Sequence, residues 1–172
     1  MERPLLYPEP LDCSKQQIRL LELQSTDKSI KWRLKTFTLD DKLHFAALSY
    51  VWGDGSATTD IEVNDTLVPV TTNLATALQH VRRYWQYEFP DRDPASFKIW
   101  VDALCIDQSN TRERGEQVQL MPKVYTSASL VLGWLGNEDN MELVQATLLI
   151  RILGDAFRSR SWDPVKLSMD LS

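Results

Sequence analysis

Residues 97–136 read FKIWVDALCIDQSNTRERGEQVQLMPKVYTSASLVLGWLG, and this stretch decides the fold. Its first ten residues, 97–106, are almost continuously apolar, interrupted by one lysine and one aspartate, as is typical of a strand covered on both faces. Residues 110–128 follow with helical spacing, and residues 129–136 are again short, apolar and bounded by glycine. The order strand, helix, strand predicts a right-handed parallel crossover.

Three polar residues, Asp102, Asp107 and Gln108, lie in or directly after the apolar run. Open α/β sheets bind their ligands beyond the carboxyl ends of the strands. The junction between this strand and its helix is therefore the expected place for a site. The sequence contains no Gly-rich phosphate loop of the Walker or Rossmann type.

Apolar periodicity predicts the other elements of the chain. Residues 16–24 and 30–39 are expected to form a hairpin or two edge strands, and residues 60–70 to form a hairpin around Asn64 and Asp65. The remaining elements are a strand over 46–52, a helix capped by Thr72 or Asn73 that ends near Tyr84, and a final helix over about 141–157.

The composition is that of a soluble globular protein. The chain has 172 residues, 43% hydrophobic and 25% charged, which suits one domain with a substantial core better than two. The formal net charge of −5 and the scattered basic residues argue against nucleic acid, because binding phosphates needs clustered Lys and Arg. The sequence has no signal-peptide core and no membrane span, so we expect a single cytoplasmic domain over residues 1–172.

Several motifs resemble the fungal heterokaryon-incompatibility (HET) domain. They are IWVDALCIDQ at 99–108, the later ER..QV..M..VY..A and WLG, and ALSYVWGDGS at 47–56. The segments YPEPLDCSKQQIRLLEL at 7–23 and VTTNLATALQHVRR at 70–83 fit the same family in order and spacing. The resemblance covers roughly residues 5–136.

HET domains resemble Toll/interleukin-receptor (TIR) domains in fold and are known as triggers of cell death in non-self recognition between fungal strains. The resemblance implies a TIR-like (flavodoxin-like) α/β fold, with a mostly parallel sheet flanked by helices, an added N-terminal β-hairpin and a β-hairpin insertion. TIR-like domains in several lineages cleave NAD+ at the bond between nicotinamide and ribose. The resemblance therefore implies a cell-death effector domain that acts as an NAD+ nucleosidase, with NAD+ as substrate and without a prosthetic group or a metal.

Glu113 is the candidate catalytic residue. A helical projection with an apolar stripe that includes Val118 places Glu113, Arg114 and Gln117 within roughly 70° of the centre of the stripe. Glu116 lies about 130° away. An inward carboxylate beyond a central strand can hold a ribose hydroxyl and stabilise the positive charge that develops as a glycosidic bond breaks. TIR-like NAD+ hydrolases place their glutamate roughly there. The alternative is structural, because Asn110-x-x-Glu113 fits a capping box.

Arg114 and Asp102 are candidates for NAD+ binding, and each also has a structural interpretation. Arg114 can bind a phosphate through its guanidinium fork, but pairing with Glu113, Asp107 or Asp102 is the expected role. Asp102 can set the protonation of a neighbouring acid, but a carboxylate on an apolar strand must in any case be paired or hydrogen-bonded. Pro122 is expected to kink or break the helix that carries Arg114.

Tyr50, Trp52 and Gly53 form a second group of NAD+-binding candidates. A strand that ends in aromatic residues and is followed by Gly-Asp-Gly offers a flat apolar face and a flexible loop, which suits stacking of a nicotinamide or adenine ring. In the resembling TIR-like sites the loop after the first strand lines that pocket. The alternative is that Trp52 is a core anchor, the commoner role of a Trp at the end of a strand.

Cysteine and metal chemistry are not expected. Cys13 and Cys105 are predicted to be free thiols, and the apolar neighbours of Cys105 disfavour a thiolate nucleophile with His44 or His80 as its base. The two histidines and the scattered carboxylates lack metal-ligand spacing.

A second function remains open beside NAD+ cleavage. The domain can instead be a non-enzymatic interaction module that signals by assembling with copies of itself or with an incompatibility-partner protein. Both functions predict exposed sheet edges and helices available for contact, and a homo-oligomer fits either one.

Overall fold

The computed structural model of the protein describes residues 6–26, 29–40 and 42–134. In chain order the elements are β1 (Gln17–Thr26), β2 (Ser29–Thr38), β3 (Ala46–Tyr50), β4 (Thr58–Val63), β5 (Thr66–Thr71), α1 (Thr72–Glu88), β6 (Lys98–Trp100), α2 (Asp102–Cys105), α3 (Thr111–Ser127) and β7 (Leu130–Trp134). The seven strands form one sheet in the order β5-β4-β2-β1-β6-β3-β7. The fold is therefore α/β, as the sequence predicts.

The sheet is mixed, and the prediction of a mostly parallel sheet is wrong. Strands β2 and β4, β3 and β6, and β3 and β7 pair in parallel. The other three pairings, of β1 with β2, β1 with β6 and β4 with β5, are antiparallel. The antiparallel share is high because both hairpins are part of the same sheet, and because β1 also pairs with β6.

Both hairpins lie where the sequence predicts them. Strands β1 and β2 pair along their whole length, and β4 and β5 are joined by the two residues Asn64 and Asp65. These two residues have φ angles of 51° and 60°, as a type I′ turn requires. Asn and Asp are among the few residues other than glycine that tolerate this conformation.

The predicted strand over 97–106 is wrong beyond Trp100. Strand β6 ends there, and the four-residue helix α2 begins at Asp102. The sequence stays apolar beyond the end of β6 because Leu104, Cys105 and Ile106 in and after α2 are also buried. A continuous apolar run does not distinguish a buried strand from a short buried helix, so periodicity alone did not reveal the break.

Helix α3 connects β6 to β7, and both strands run parallel to β3, which lies between them. The predicted parallel crossover is therefore confirmed. The helix begins at Thr111 with Asn110 as its N-cap and continues through Pro122 to Ser127. The predicted break at Pro122 does not occur.

Helix α1 packs its apolar stripe against the sheet. Its buried residues are Leu74, Ala75, Ala77, Leu78, Val81 and Trp85, and its side-chain cap is Thr71 rather than Thr72 or Asn73. The predicted helix over 141–157 lies outside the described residues. Within the described ranges, no helix combines the length and apolarity needed to cross a membrane.

Candidate functional site

The parallel strands β3 and β6 end at one edge of the sheet and bring Trp52 close to Asp102. Ala47 on β3 lies opposite Trp100 on β6, so the residues after each strand leave the sheet side by side. The indole Nε1 of Trp52 donates a hydrogen bond to Asp102 Oδ2 at 3.1 Å. The junction that the sequence predicts thus brings two candidate residues, Trp52 and Asp102, into direct contact.

Trp52 is a surface residue, and its interpretation as a core anchor is wrong. Its exposed fraction is 49%, while the neighbouring Tyr50 is half-buried. The hydrogen bond to Asp102 fixes the nitrogen edge of the indole while much of the ring remains open to solvent. Gly53 follows with a φ of +73°, a conformation that suits glycine and lets the chain turn away after the aromatic residue.

Asp102 supplies a partly buried carboxylate beside this aromatic surface. Burial raises the pKa of Asp102, and hydrogen bonds from Trp52 and from the Ala103 amide oppose the shift. The Ala103 N–H donates to Oδ1 at 2.7 Å and Trp52 donates to Oδ2, so each oxygen keeps a lone pair for a ligand. Burial and the charge of Asp102 together raise the pKa of the Tyr50 phenol.

Asn73 organises this edge of the sheet, and sequence reasoning assigned it no role there beyond a possible helix cap. Its Nδ2 donates to the carbonyl of Val51 at 2.5 Å, and its Oδ1 accepts the indole N–H of Trp134 at 2.8 Å. A Cβ on Gly53 would lie 3.3 Å from the Asn73 Cβ. Asn73 therefore joins the end of β7 to the loop that carries Trp52, a contact between distant segments that no local pattern signals.

Glu113 is buried, with 3% exposure, as the helical projection predicts. Its carboxylate accepts from both terminal nitrogens of Arg19, at 2.5 Å and 3.1 Å. It also accepts from the backbone N–H of Leu11 at 3.3 Å and of Asp107 at 2.9 Å. Sequence analysis missed Arg19, although an arginine inside the apolar run of β1 was a signal that a buried carboxylate should lie nearby.

The capping-box alternative for Glu113 is correct in only one of its two hydrogen bonds. Asn110 Oδ1 does accept the Glu113 N–H at 3.1 Å. The return bond is absent among the described contacts, because the Asn110 N–H donates to the Asp107 carbonyl instead. The Glu113 side chain is engaged with Arg19 and two other backbone amides.

Arg19 also holds the amino-terminal segment in place. It donates to the Glu9 carbonyl at 2.8 Å, and its guanidinium lies 4.8 Å from the centre of the Tyr7 ring. The Tyr7 hydroxyl in turn donates to the Leu104 carbonyl at 3.1 Å. The Arg19–Glu113 pair thus connects β1, α3 and the segment that precedes β1.

The environment of Glu113 favours a charged and fully hydrogen-bonded carboxylate. Burial would raise the pKa of Glu113, but the hydrogen bond and charge of Arg19 and the Asp107 and Leu11 amides outweigh it, so the pKa lies below its usual value. Glu113 borders a cleft of about 750 Å³ together with Cys13 and Glu116. Its catalytic role stays a prediction, and a substrate hydroxyl there would have to displace one of four existing donors.

The predicted inward orientation of Arg114 is wrong. Arg114 is exposed, and so is Val118, with 52% exposure. The buried face of α3 instead contains Glu113, Gln117 and Val124. The projection is correct for Glu113 and Gln117, and it is wrong for Arg114 because the stripe included the exposed Val118.

The predicted ion pair of Arg114 is not among the contacts of the described residues, where its guanidinium donates to the Gln108 carbonyl at 3.4 Å. Gln108 is itself part of the junction, since its Nε2 donates to the Asp102 carbonyl at 2.9 Å. Arg114 therefore touches the strand–helix junction through the backbone and not through a carboxylate.

The cysteine environments disfavour nucleophilic chemistry. Cys105 is buried, and burial raises its pKa to about 12, so the thiolate is strongly disfavoured. Both Cys13 and Cys105 are free thiols, as predicted. Over the described part of the chain, no group of three or more His, Cys, Asp or Glu side chains is arranged to hold a metal ion.

Comparison with known proteins gives two matches and one negative result. A profile of the family described as heterokaryon incompatibility protein (HET) matches residues 45–165. A protein of Neurospora crassa named heterokaryon incompatibility protein 6, OR allele, is 40% identical over 100 residues, which cover 54% of this chain and 14% of that protein. The chain therefore spans only a small part of the length of this relative. No solved structure matches the chain.

The profile covers more than half of the chain and includes the Trp52 loop, the Asp102 junction and helix α3. Its match agrees with the motifs that the sequence carries at these places. The chain therefore belongs to the heterokaryon incompatibility (HET) family.

Proposed function

We propose that this HET domain acts in fungal non-self recognition as a cell-death effector, and that it acts by cleaving NAD+ between nicotinamide and ribose. Family membership and the name of the Neurospora relative support the first part. The pairing of an exposed indole with a carboxylate beyond two parallel strands supports the second. The Trp52–Asp102 pair is the single observation that carries the assignment of the site.

The exposed face of Trp52 suits a planar base. An indole offers a large apolar surface that stacks in an offset arrangement on nicotinamide or adenine. The hydrogen bond to Asp102 and the contact of Asn73 with the Val51 carbonyl fix the loop before any ligand binds. A ring held in place beforehand loses less entropy on binding.

Asp102 is the carboxylate that suits the reacting ribose. Breaking the bond between C1′ and the nicotinamide nitrogen leaves positive charge on the ribose, and water then forms the new bond to C1′ and releases a proton. A carboxylate with a free lone pair on each oxygen can accept the ribose hydroxyls and stabilise that charge. In this proposal the Arg19–Glu113 pair positions the junction between β6 and α3, and Asp102 contacts the substrate.

The interaction-module alternative is supported by the same loop. Val51 and Trp52 are adjacent, with exposures of 64% and 49%, and neighbouring exposed apolar side chains suit protein contact. The edge strand β5 is a weaker candidate for self-assembly, because Pro69 lacks the N–H that an added strand would need. Under this alternative, substitutions in the loop change assembly and no NAD+ is consumed.

The test is to incubate the purified protein with NAD+ and to measure nicotinamide by chromatography. We expect nicotinamide release by the parent, a loss on the order of a hundredfold in Asp102→Asn, and weaker NAD+ binding in Trp52→Ala. Asp60→Asn is the matched control, because Asp60 is exposed on β4 and distant from β3 and β6 in the sheet order.

Two outcomes would contradict parts of the proposal. A folded parent that releases no nicotinamide but assembles through the Trp52 loop would leave the interaction module as the function. A folded Glu113→Gln variant that is inactive, beside an Asp102→Asn variant with the parent rate, would return the catalytic role to Glu113.

A further inference from the structure

A second cavity opens at the opposite end of β3 from the Trp52–Asp102 pair. It has a volume of about 460 Å³ and lies where β3 and β7 begin, at Ala46 and Leu130. Four steps along β3, at about 3.3 Å each, separate Ala46 from Tyr50, so the two sites are roughly 13 Å apart along the strand. The volume is within the range of cavities that bind small molecules.

Aromatic side chains form much of the lining of this cavity. Trp85 stacks on Phe97 with ring centres 4.6 Å apart, and contacts Phe89 at 4.5 Å with a tilt of 44°. Phe45 also lines the cavity. Flat apolar surfaces of this kind favour a planar ligand, which gains contact with little loss of conformational entropy.

Arg92 provides a positive charge at the rim. Its guanidinium lies 4.7 Å from the centre of the Phe89 ring and 5.9 Å from that of Trp85. Its side chain has no ion pair with any residue the structure describes. A planar guanidinium stacked on aromatic rings keeps its N–H groups available for a carboxylate.

The lining is positively charged in a protein whose net charge is −5. Arg92 and Lys98 border the cavity, and none of its described lining residues is acidic. Lys98 is partly neutralised, since its Nζ lies 3.8 Å from Glu22, so Arg92 is the principal cation. By contrast, the cleft beside Glu113 includes Asp12, Glu113 and Glu116 among its walls.

One buried donor in the lining lacks an acceptor. The indole N–H of Trp85 has no hydrogen-bond partner among the described residues, although Trp85 is only 9% exposed. An unpaired buried donor is costly, and such groups in native structures call for an explanation. This nitrogen is inaccessible to solvent, so a ligand in the cavity contacts the Trp85 ring rather than its N–H, and the proposed site does not depend on that donor.

We propose that this cavity binds a planar aromatic carboxylate. The ligand ring packs against the surface that Phe45, Phe97 and Trp85 present to the cavity, and the carboxylate pairs with the guanidinium of Arg92. The site is distinct from the Trp52–Asp102 pair and does not depend on NAD+ cleavage. It gives the domain a small-molecule ligand at the amino-terminal edge of its parallel strands.

The test measures binding of 2-naphthoate to the full chain by calorimetry. Its neutral isostere 2-naphthalenemethanol and the aliphatic anion octanoate are measured under the same conditions. We expect saturable one-to-one binding of 2-naphthoate, and affinity at least about tenfold lower for both comparison compounds, because each lacks one of the two interactions. In NMR spectra, the indole N–H signal of Trp85 is assigned by its loss in Trp85→Phe. This signal should shift as 2-naphthoate is added, while that of Trp52 should not.

Arg92→Met removes the charge while keeping the apolar stem, and Arg83→Met is the matched control. Both arginines are exposed, and Arg83 does not line the cavity. We expect Arg92→Met to melt like the parent and to bind 2-naphthoate at least about tenfold more weakly, with Arg83→Met unchanged. The proposal is overturned by absence of saturable binding, by equal affinity for either comparison compound, or by equal effects of the two substitutions.

Discussion

Replacing Glu113 by Gln should destabilise the fold strongly, because every group around this side chain is a donor. The carboxylate accepts from two nitrogens of Arg19 and from the backbone N–H groups of Leu11 and Asp107. Glutamine offers one acceptor oxygen and an NH2 group, which would face one or more of these donors. The substitution also leaves the Arg19 guanidinium buried without its counter-charge.

The magnitude follows from the burial of both partners. The side chains of Arg19 and Glu113 are 4% and 3% exposed, so solvent does not screen the loss. Removing one partner of a buried ion pair costs about 3–5 kcal/mol. For a domain of this size each kcal/mol lowers Tm by about 2–4 °C, which gives a fall of about 6–20 °C.

The assay is thermal unfolding followed by circular dichroism, with Glu116→Gln as the control. Glu116 lies one turn further along the same helix and pairs with Arg112 at 3.0 Å, and Arg112 is 89% exposed. Solvent screens this exposed pair, so its loss should shift Tm very little. Equal Tm shifts in the two variants, or a shift below about 2 °C in Glu113→Gln, would refute the reasoning and favour the capping role, since Gln is accepted at that position of a capping box.

Three further predictions concern pH, exposure and redox state. Folding lowers the pKa of Glu113, so the charged carboxylate stabilises the parent relative to Glu113→Gln. This stability difference should be at its maximum at pH values above 4.5, the ordinary pKa, and should shrink as the pH falls through the lowered pKa. Measuring Tm against pH checks this, and a difference that grows towards acid would contradict it. Trp52→Ala should cost well under the roughly 3–5 kcal/mol of a core aromatic, because Trp52 is 49% exposed; urea unfolding measures this, and a core-sized loss would show that the indole supports the fold. Thiol titration under denaturing, non-reducing conditions should find both Cys13 and Cys105 reactive, and finding fewer would point to a disulfide or another modification.

Strand and helix positions were predictable where the chain carries local signals. The turn at Asn64 and Asp65 lies between two alternating runs, and both residues adopt the positive φ that their chemistry tolerates. The crossover from β6 through α3 to β7 followed from the alternation of apolar strands with a helical segment. These features depend on residues that are close together in the chain, so a single sequence is enough to predict them.

The pairing of the strands was not predictable in the same way. Strand β1 lies between β2 and β6, so an amino-terminal hairpin becomes part of the centre of the sheet. The alternation of apolar and polar residues in β1 does not indicate which strand pairs with the edge of β1 that faces away from β2. The buried Arg19 was the strongest local indication, because a charged side chain with apolar residues on either side has to find a partner.

The candidate site was predicted in part. Trp52 and Asp102 were named from the ends of two strands, and their hydrogen bond shows that the two ends meet. The role of Asn73 and the exposure of Arg114 depend on packing between distant segments and on the exact rotation of α3. The projection placed Glu113 and Gln117 inward correctly, and it failed at Arg114 because the stripe included the exposed Val118.

The most direct test of the proposed function is the rate of nicotinamide release from NAD+, measured over a wide range of protein concentration for the parent and for Asp102→Asn. The proposal predicts release by the parent, at a rate per protomer that rises with concentration if assembly activates the domain. It also predicts loss on the order of a hundredfold in Asp102→Asn, with a fall in Tm much smaller than that of Glu113→Gln because Asp102 is only partly buried. Folded parent protein that releases no nicotinamide at any concentration, or an Asp102→Asn variant with the parent rate, would contradict it.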